Sequence, residues 1–182
     1  MPARNRKSMA RESAPEATNL IVLLRDAHWE IKSLFKEMED ILDLPAAAFE
    51  LYPRIRVALE AHDYGEKFAL YSTMSHIPDL FAVLRRAEES HAEIDRTLRF
   101  LDRLPFRKQQ IHSPEWKEAF RKLHRTVLAH LAEEEESIFP RLQALLAEAR
   151  LDVLGDRYKR ALKGELGEGP ATYEVTDNAQ HT

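Results

Sequence analysis

Four stretches of this chain carry apolar residues at three- and four-residue steps, and each stripe is interrupted by a histidine. Such steps place residues on one face of an α-helix, so each histidine falls where the pattern calls for an apolar side chain. In the first stretch, about Ala17 to Leu42, the stripe is Leu20, Leu24, Ala27, Ile31, Leu34, Phe35, Met38 and Ile41, and His28 breaks it. In the second, about Pro53 to Met74, His62 and Glu66 fill a gap between Ala58-Leu59 and Ala69-Leu70. In the third, from near Pro78 to before Pro105, His91 lies between Ala87 and Ile94 in the run Leu80, Leu84, Leu98, Leu101. In the fourth, Phe120, Leu123 and Val127 give way to His130 and Glu134 before Ile138.

Punctuation supports the same division. Prolines separate helix-length pieces, while glycine occurs only 5 times in 182 residues. Pro53 suits the first turn of the second helix, and Ser113-Pro114-Glu115 reads as a cap, a first-turn proline and an acid at the positive end of the dipole. Pro140 is expected to kink or locally break the fourth helix, because it lacks a backbone donor. A shorter amphipathic stretch, about Leu151 to Leu162, reads as a fifth helix. No alternating strand pattern competes. The expected fold is all-α, a four-helix bundle running up-down-up-down with short connections and a short additional C-terminal helix. Residues 1–16 read as a polar, mildly basic tail, 17–163 as the bundle and 164–182 as an acidic tail.

Composition removes several function classes. The chain has no cysteine, which excludes disulfides, zinc–thiolate and iron–sulfur sites and thiol nucleophiles. With 27 basic and 31 acidic residues, the net charge of −4 gives no field favouring nucleic acid or anionic membrane. No apolar run approaches the ~20 residues needed to span a bilayer, and the N-terminus lacks a secretory apolar segment. The expected location is the cytoplasm, and the expected state a monomer or homodimer without nucleic-acid or membrane partners. There is no serine elbow and no Gly-rich phosphate loop.

The informative residues are therefore the inward polar ones. Positions four apart share a helix face, so His62 with Glu66, and His130 with Glu134, can reach one point. Carboxylates and imidazoles buried without partners cost several kcal/mol. Four imidazoles and two carboxylates converging in a bundle core call for a compensating cation, which a metal centre supplies. An internal repeat agrees with this: His28-x-Glu-Ile matches His91-x-Glu-Ile, and His62-x-x-x-Glu66 matches His130-x-x-x-Glu134. The repeat also selects Glu134 over Glu133, whose counterpart in the first half is Gly65. Six donors exceed the four of a structural zinc, so two metals sharing carboxylates fit the count. Imidazole with carboxylate suits iron, with manganese or zinc as competitors. His76, His112 and His181 are expected to face solvent, and His124 to point away from the site. Asp63 and Asp95 are read as acids that are not ligands.

On these residues the chain resembles the hemerythrin-like, or HHE, family of four-helix cation-binding domains. The resemblance spans about Leu20 to Leu146 and rests on His28, His62-x-x-x-Glu66, His91 and His130-x-x-x-Glu134. It implies a non-haem centre of two iron ions with terminal histidines, two bridging glutamates and an oxo or hydroxo group completing the bridge. One position would stay open to dioxygen, nitric oxide or peroxide. The oxygen-carrying branch has a second histidine one turn after the third-helix ligand, where this chain has Asp95. Its last helix pairs histidine with an aspartate five residues on, whereas here Glu134 follows at four. These departures point away from reversible oxygen carriage and toward the bacterial branch linked to oxidant sensing, detoxification and iron handling.

The leading expectation is a di-iron protein that binds or senses such a small ligand. The alternatives are a peroxidase- or catalase-like enzyme at the same centre, and an iron-responsive regulatory or interaction module. A ferritin-like oxidase would need two Glu-x-x-His pairs, and among the candidate helices only Glu88 with His91 has that spacing.

Overall fold

The computed structural model describes residues 18–104 and 113–167. The described residues form five helices, counting each π-helical turn with the helix it continues, and among them there is no strand. Helix α1 spans Leu20–Ile41. Helix α2 spans Pro45–Glu66, passes through a π-helical turn at Lys67–Tyr71 and ends in Ser72–Met74. Helix α3 spans Pro78–Arg103. Helix α4 spans Pro114–Glu133, a π-helical turn at Glu134–Ile138 and Phe139–Leu145. Helix α5 spans Glu148–Leu162. Two starts are fixed by side chains that satisfy a free backbone donor: Asn19 accepts from Ile21 N, and Ser113 from Trp116 N. Gly164, at φ 74°, closes α5 in the left-handed conformation that only glycine adopts cheaply.

The apolar stripes pack α1 against α2 and α5, and α3 against α4. The buried side chains fall into two layers. One contains Phe35, Met38, Tyr52, Ile55, Trp116 and Phe120; the other contains Leu24, Leu70, Leu84, Phe139, Leu154 and Tyr158. The polar residues that break the stripes lie between these layers, so the apolar matter on both sides excludes water from them.

Two expectations about proline need correction. Helix α2 begins at Pro45, and Pro53 lies inside it instead of starting it. The helix runs through Pro53 because Ala48, Leu51, Tyr52 and Ile55 on both sides of it are buried in the core, and packing outweighs the lost backbone bond. At Pro140 the expected break takes the form of the π-helical turn, after which α-helix resumes at Phe139 with Pro140 in its first turn. There a missing N–H costs little. The expected tail at 1–16 and nearly all of that at 164–182, together with His112 and His181, lie outside the described residues.

Candidate metal centre

Each π-helical turn sits at a carboxylate of the repeat, directly after Glu66 in α2 and beginning at Glu134 in α4. Both helices carry their inward residues at strict four-residue steps: His62, Glu66, Leu70, Met74 and His130, Glu134, Ile138, Leu142. All eight are buried. In a regular α-helix each such step overshoots a turn of 3.6 residues by about 40°, so four positions would drift off one face. The wider π-helical turn takes up that drift and keeps the series aimed inward. Proline is not the common cause, since the turn in α2 contains none.

The structure brings His62, Glu66, His91, His130 and Glu134 together, one ligand atom from each lying within 4.8 Å of all the others. His28 stands beside this group, its Nε2 3.1 Å from Glu134 Oε2. Its ring packs edge-on to His62 with centroids 5.0 Å apart. Three further spacings join α2, α3 and α4 at the same point: His62 Nε2 is 3.6 Å from Glu134 Oε2, His91 Nε2 3.5 Å from Glu66 Oε2, and His130 Nε2 3.3 Å from Glu134 Oε1. The two carboxylates are fully buried.

Outer partners orient the two lone histidines. Glu135 Oε1 accepts from His28 Nδ1 at 2.8 Å and from Lys32 Nζ at 2.7 Å. A carboxylate only accepts, so this bond puts the His28 proton on Nδ1 and turns the Nε2 lone pair inward. That lone pair then faces a carboxylate oxygen at 3.1 Å, an arrangement that requires a cation between them, either a proton or a metal ion. His91 has a carboxylate in the same place, Asp63 Oδ1 lying 2.9 Å from Nδ1 but off the line of a hydrogen bond, and its Nε2 is turned toward Glu66. Tyr71 donates to Glu66 Oε2 at 3.0 Å.

Charge is divided unevenly between the carboxylates. Burial, and then the charge of Glu134, push the Glu66 carboxyl well above its usual range. Burial pushes Glu134 up as well, but the close imidazoles of His28, His62 and His130 outweigh it and hold Glu134 well below. Burial drives His130 down to about 3, with the neighbouring imidazoles adding to the fall against the pull of Glu134. Burial also raises Tyr71 well above the usual phenol range, helped by Glu66 and Glu134.

The donors fit a metal. His62 and His130 have no hydrogen-bond partner at either nitrogen, and Glu66 Oε1 and both Glu134 oxygens are likewise buried and unpartnered. Buried polar atoms are normally satisfied, and here they converge with nitrogen and oxygen only, a set suited to borderline and hard cations.

The other polar residues lie elsewhere. Glu133 points away to Arg86 at 2.8 Å. Asp95 pairs with Arg99 at 2.6 Å, half exposed. His124 stacks on Phe35 and meets Glu39 at 3.0 Å, and His76 is exposed. Sequence reasoning missed Tyr71 and Glu135. The repeat offered a signal for Tyr71, which follows Leu70 as Phe139 follows Ile138 and so carries a phenol where the other half has none.

A family model described as the Hemerythrin HHE cation binding domain matches residues 19–142. No curated protein and no solved structure matches the chain. With a match that takes in all of α1, α2 and α3, and with it every residue of the polar cluster, the chain belongs to the hemerythrin HHE cation-binding family.

Proposed function

We propose that this protein holds two iron ions between His28, His62, Glu66, His91, His130 and Glu134 in an up-down-up-down bundle, and uses them to bind or sense dioxygen, nitric oxide or peroxide. The observation that carries the reading is the inward face of His28, whose Nε2 meets Glu134 at 3.1 Å while Nδ1 is committed to Glu135. It adds a sixth donor to a five-residue cluster, and six exceed what one tetrahedral ion takes. Iron bound there would supply one- or two-electron chemistry toward a small oxidant.

The chain's own residues do the rest. Glu135 and Asp63 stand behind the rings of His28 and His91 and restrain their orientation, as carboxylates behind ligating histidines do. Tyr71 restrains one oxygen of Glu66 and leaves the other free. Phe139, stacked on His28 with centroids 5.3 Å apart, and the two apolar layers keep bulk water out.

Metal analysis with an optical spectrum of protein from iron-replete cells tests the proposal. Two irons per chain and a near-ultraviolet charge-transfer band are expected. Stoichiometric zinc, or no metal under any loading condition, overturns it.

A second reading, an iron-responsive module, is favoured by the number of buried polar atoms that find no hydrogen-bond partner within the protein. It predicts that removing iron exposes apolar surface to a hydrophobic dye. Unchanged dye binding counts against it.

A further inference from the structure

Apolar layers lie on both sides of the cluster, so a metal ion has to come in between helices. Two openings lead there. On the side of α1, α2 and α5 a groove of about 710 Å³ touches His62 and no other imidazole, and its charged lining is mixed: Asp26 and Glu30 with Arg54 and Lys159. Between α2 and α3 a narrow opening of about 40 Å³ touches His62, His91 and His130 together. Its charged lining, among the described residues, is acidic throughout: Glu60, Asp63 and Asp95.

The three acids lead inward. Asp95 is half exposed, and Asp63, also partly exposed, has Oδ1 2.9 Å from His91 Nδ1. Glu60 is more buried, and its Oε2 has no hydrogen-bond partner. Each acid has a cation nearby, Arg99 at Asp95, Lys67 at Asp63 and Arg56 at Glu60, but none of these cations lines the opening. At its inner end His91 and His130 are buried, with no partner at either ring nitrogen. Acids at the mouth and unpartnered imidazoles at the floor favour a cation along the whole path. Size sets the form in which it passes. A water takes about 30 Å³, so an ion with its full hydration shell does not fit in about 40 Å³. It has to exchange waters for carboxylate oxygens on the way, and hard and borderline cations accept such oxygens.

We propose that divalent metal ions enter the cluster between α2 and α3, drawn in and partly dehydrated by Asp95, Glu60 and Asp63. The inference rests on the proposed metal centre and assigns to it a port for loading. The port acts on the rate at which ions arrive and leaves the number bound unchanged, because none of the three acids belongs to the proposed ligand set. The wide groove at His62, with cations among its lining, is not the route.

Cobalt(II) uptake by the metal-free full-length chain, followed by visible absorption after rapid mixing at low ionic strength, separates the two openings. Asp95→Lys and Glu30→Lys make the same change in net charge, one at each opening. Asp95→Lys is expected to slow uptake at least fivefold with the same amount of cobalt bound at the end, and added salt is expected to narrow the difference. Glu30→Lys is expected to change the rate less than twofold. Equal slowing in both variants, or slowing in Glu30→Lys alone, overturns the port. Should Asp95→Lys fail to fold, Glu60→Gln removes a charge from the same lining at nearly constant size and is expected to slow uptake at least twofold; an unchanged rate overturns the port equally. A wild-type chain that binds no cobalt overturns the metal centre and the port together. Binding at a rate indifferent to Asp95 and Glu60 overturns the port alone.

Discussion

The ring of Tyr158 lies directly on the backbone of Gly65, so closely that a β-carbon at Gly65 would stand 2.3 Å from Tyr158 Cε2. This contact brings α5 down onto α2 one residue before Glu66. Gly65→Ala is expected to destabilise the protein by about 1–2 kcal/mol, the cost of displacing a buried ring less the better helix propensity of alanine. In a Tyr158→Ala background the same change is expected to be neutral or stabilising by about 0.5–1 kcal/mol. Urea denaturation of the four proteins reads the difference, and equal effects in both backgrounds would show that the contact does not matter.

The carboxylates behind the histidines are expected to tune the metal without holding it. Glu135→Gln and Asp63→Asn each keep an acceptor of similar shape but remove its charge. Both acids are held below the usual carboxylate range: burial opposes this, but Glu135 bonds with Lys32 and His28, and Asp63 lies against the imidazole of His91. Each substitution is expected to weaken metal affinity about 10–100-fold with a melting temperature of the metal-free protein close to wild type. Competition with a chelator of known affinity measures this, and an unchanged affinity would reduce both acids to surface charges.

The helices were legible in the sequence because a buried stripe has a period, and so were the six polar residues, because they interrupt it. Choosing Glu134 over Glu133 needed only the repeat, and the structure buries the first and pairs the second with Arg86. Pro53 misled because proline at a first turn and proline inside a packed helix look alike locally; only the burial of Ala48 and Leu51 tells them apart. The π-helical turns were encoded in the four-residue steps of both His-x-x-x-Glu series, a spacing that a 3.6-residue helix cannot hold on one face. Glu135 was hidden within an acidic run, where spacing shows which residue points inward but not which reaches across to another helix.

Acid should destabilise the metal-free protein partly through His130. Its native pKa is lowered to about 3, mainly by burial, against 6.5 for a free imidazole. A depressed native value means the unfolded state binds the proton first, so this group's contribution is intact above about 6.5 and is lost as pH falls toward 3. The limiting slope for one proton is about 1.4 kcal/mol per pH unit. Glu66 acts in the opposite sense, because its raised native value favours the folded state below 4.5 and that contribution fades as pH rises through the raised value. Comparison with His130→Gln isolates the histidine. The wild type is expected to lose more stability than the variant between pH 6.5 and 4.5, and parallel curves would show that His130 is protonated as readily folded as unfolded.

Metal loading is the sharpest test of the cluster itself, because Glu133 and Glu134 are neighbours in sequence with opposite surroundings. A ligand that binds only the folded state at 100 times its dissociation constant stabilises by about 2.7 kcal/mol. For a chain of this length that corresponds to a rise in melting temperature of roughly 5–10 °C. The wild type and Glu133→Gln are both expected to show it, since Glu133 bonds only Arg86 in the described structure and lies away from the cluster. Glu134→Gln is expected to lose most of it, because Glu134 alone lies within 3.6 Å of His28, His62 and His130. The amide also replaces a charged oxygen with a donor that faces the His28 lone pair. The metal-free melting temperature of Glu134→Gln is accordingly expected to hold or rise while its metal response falls. A variant that melts lower than wild type without metal and still gains the full increment with it would place the metal somewhere other than between these helices.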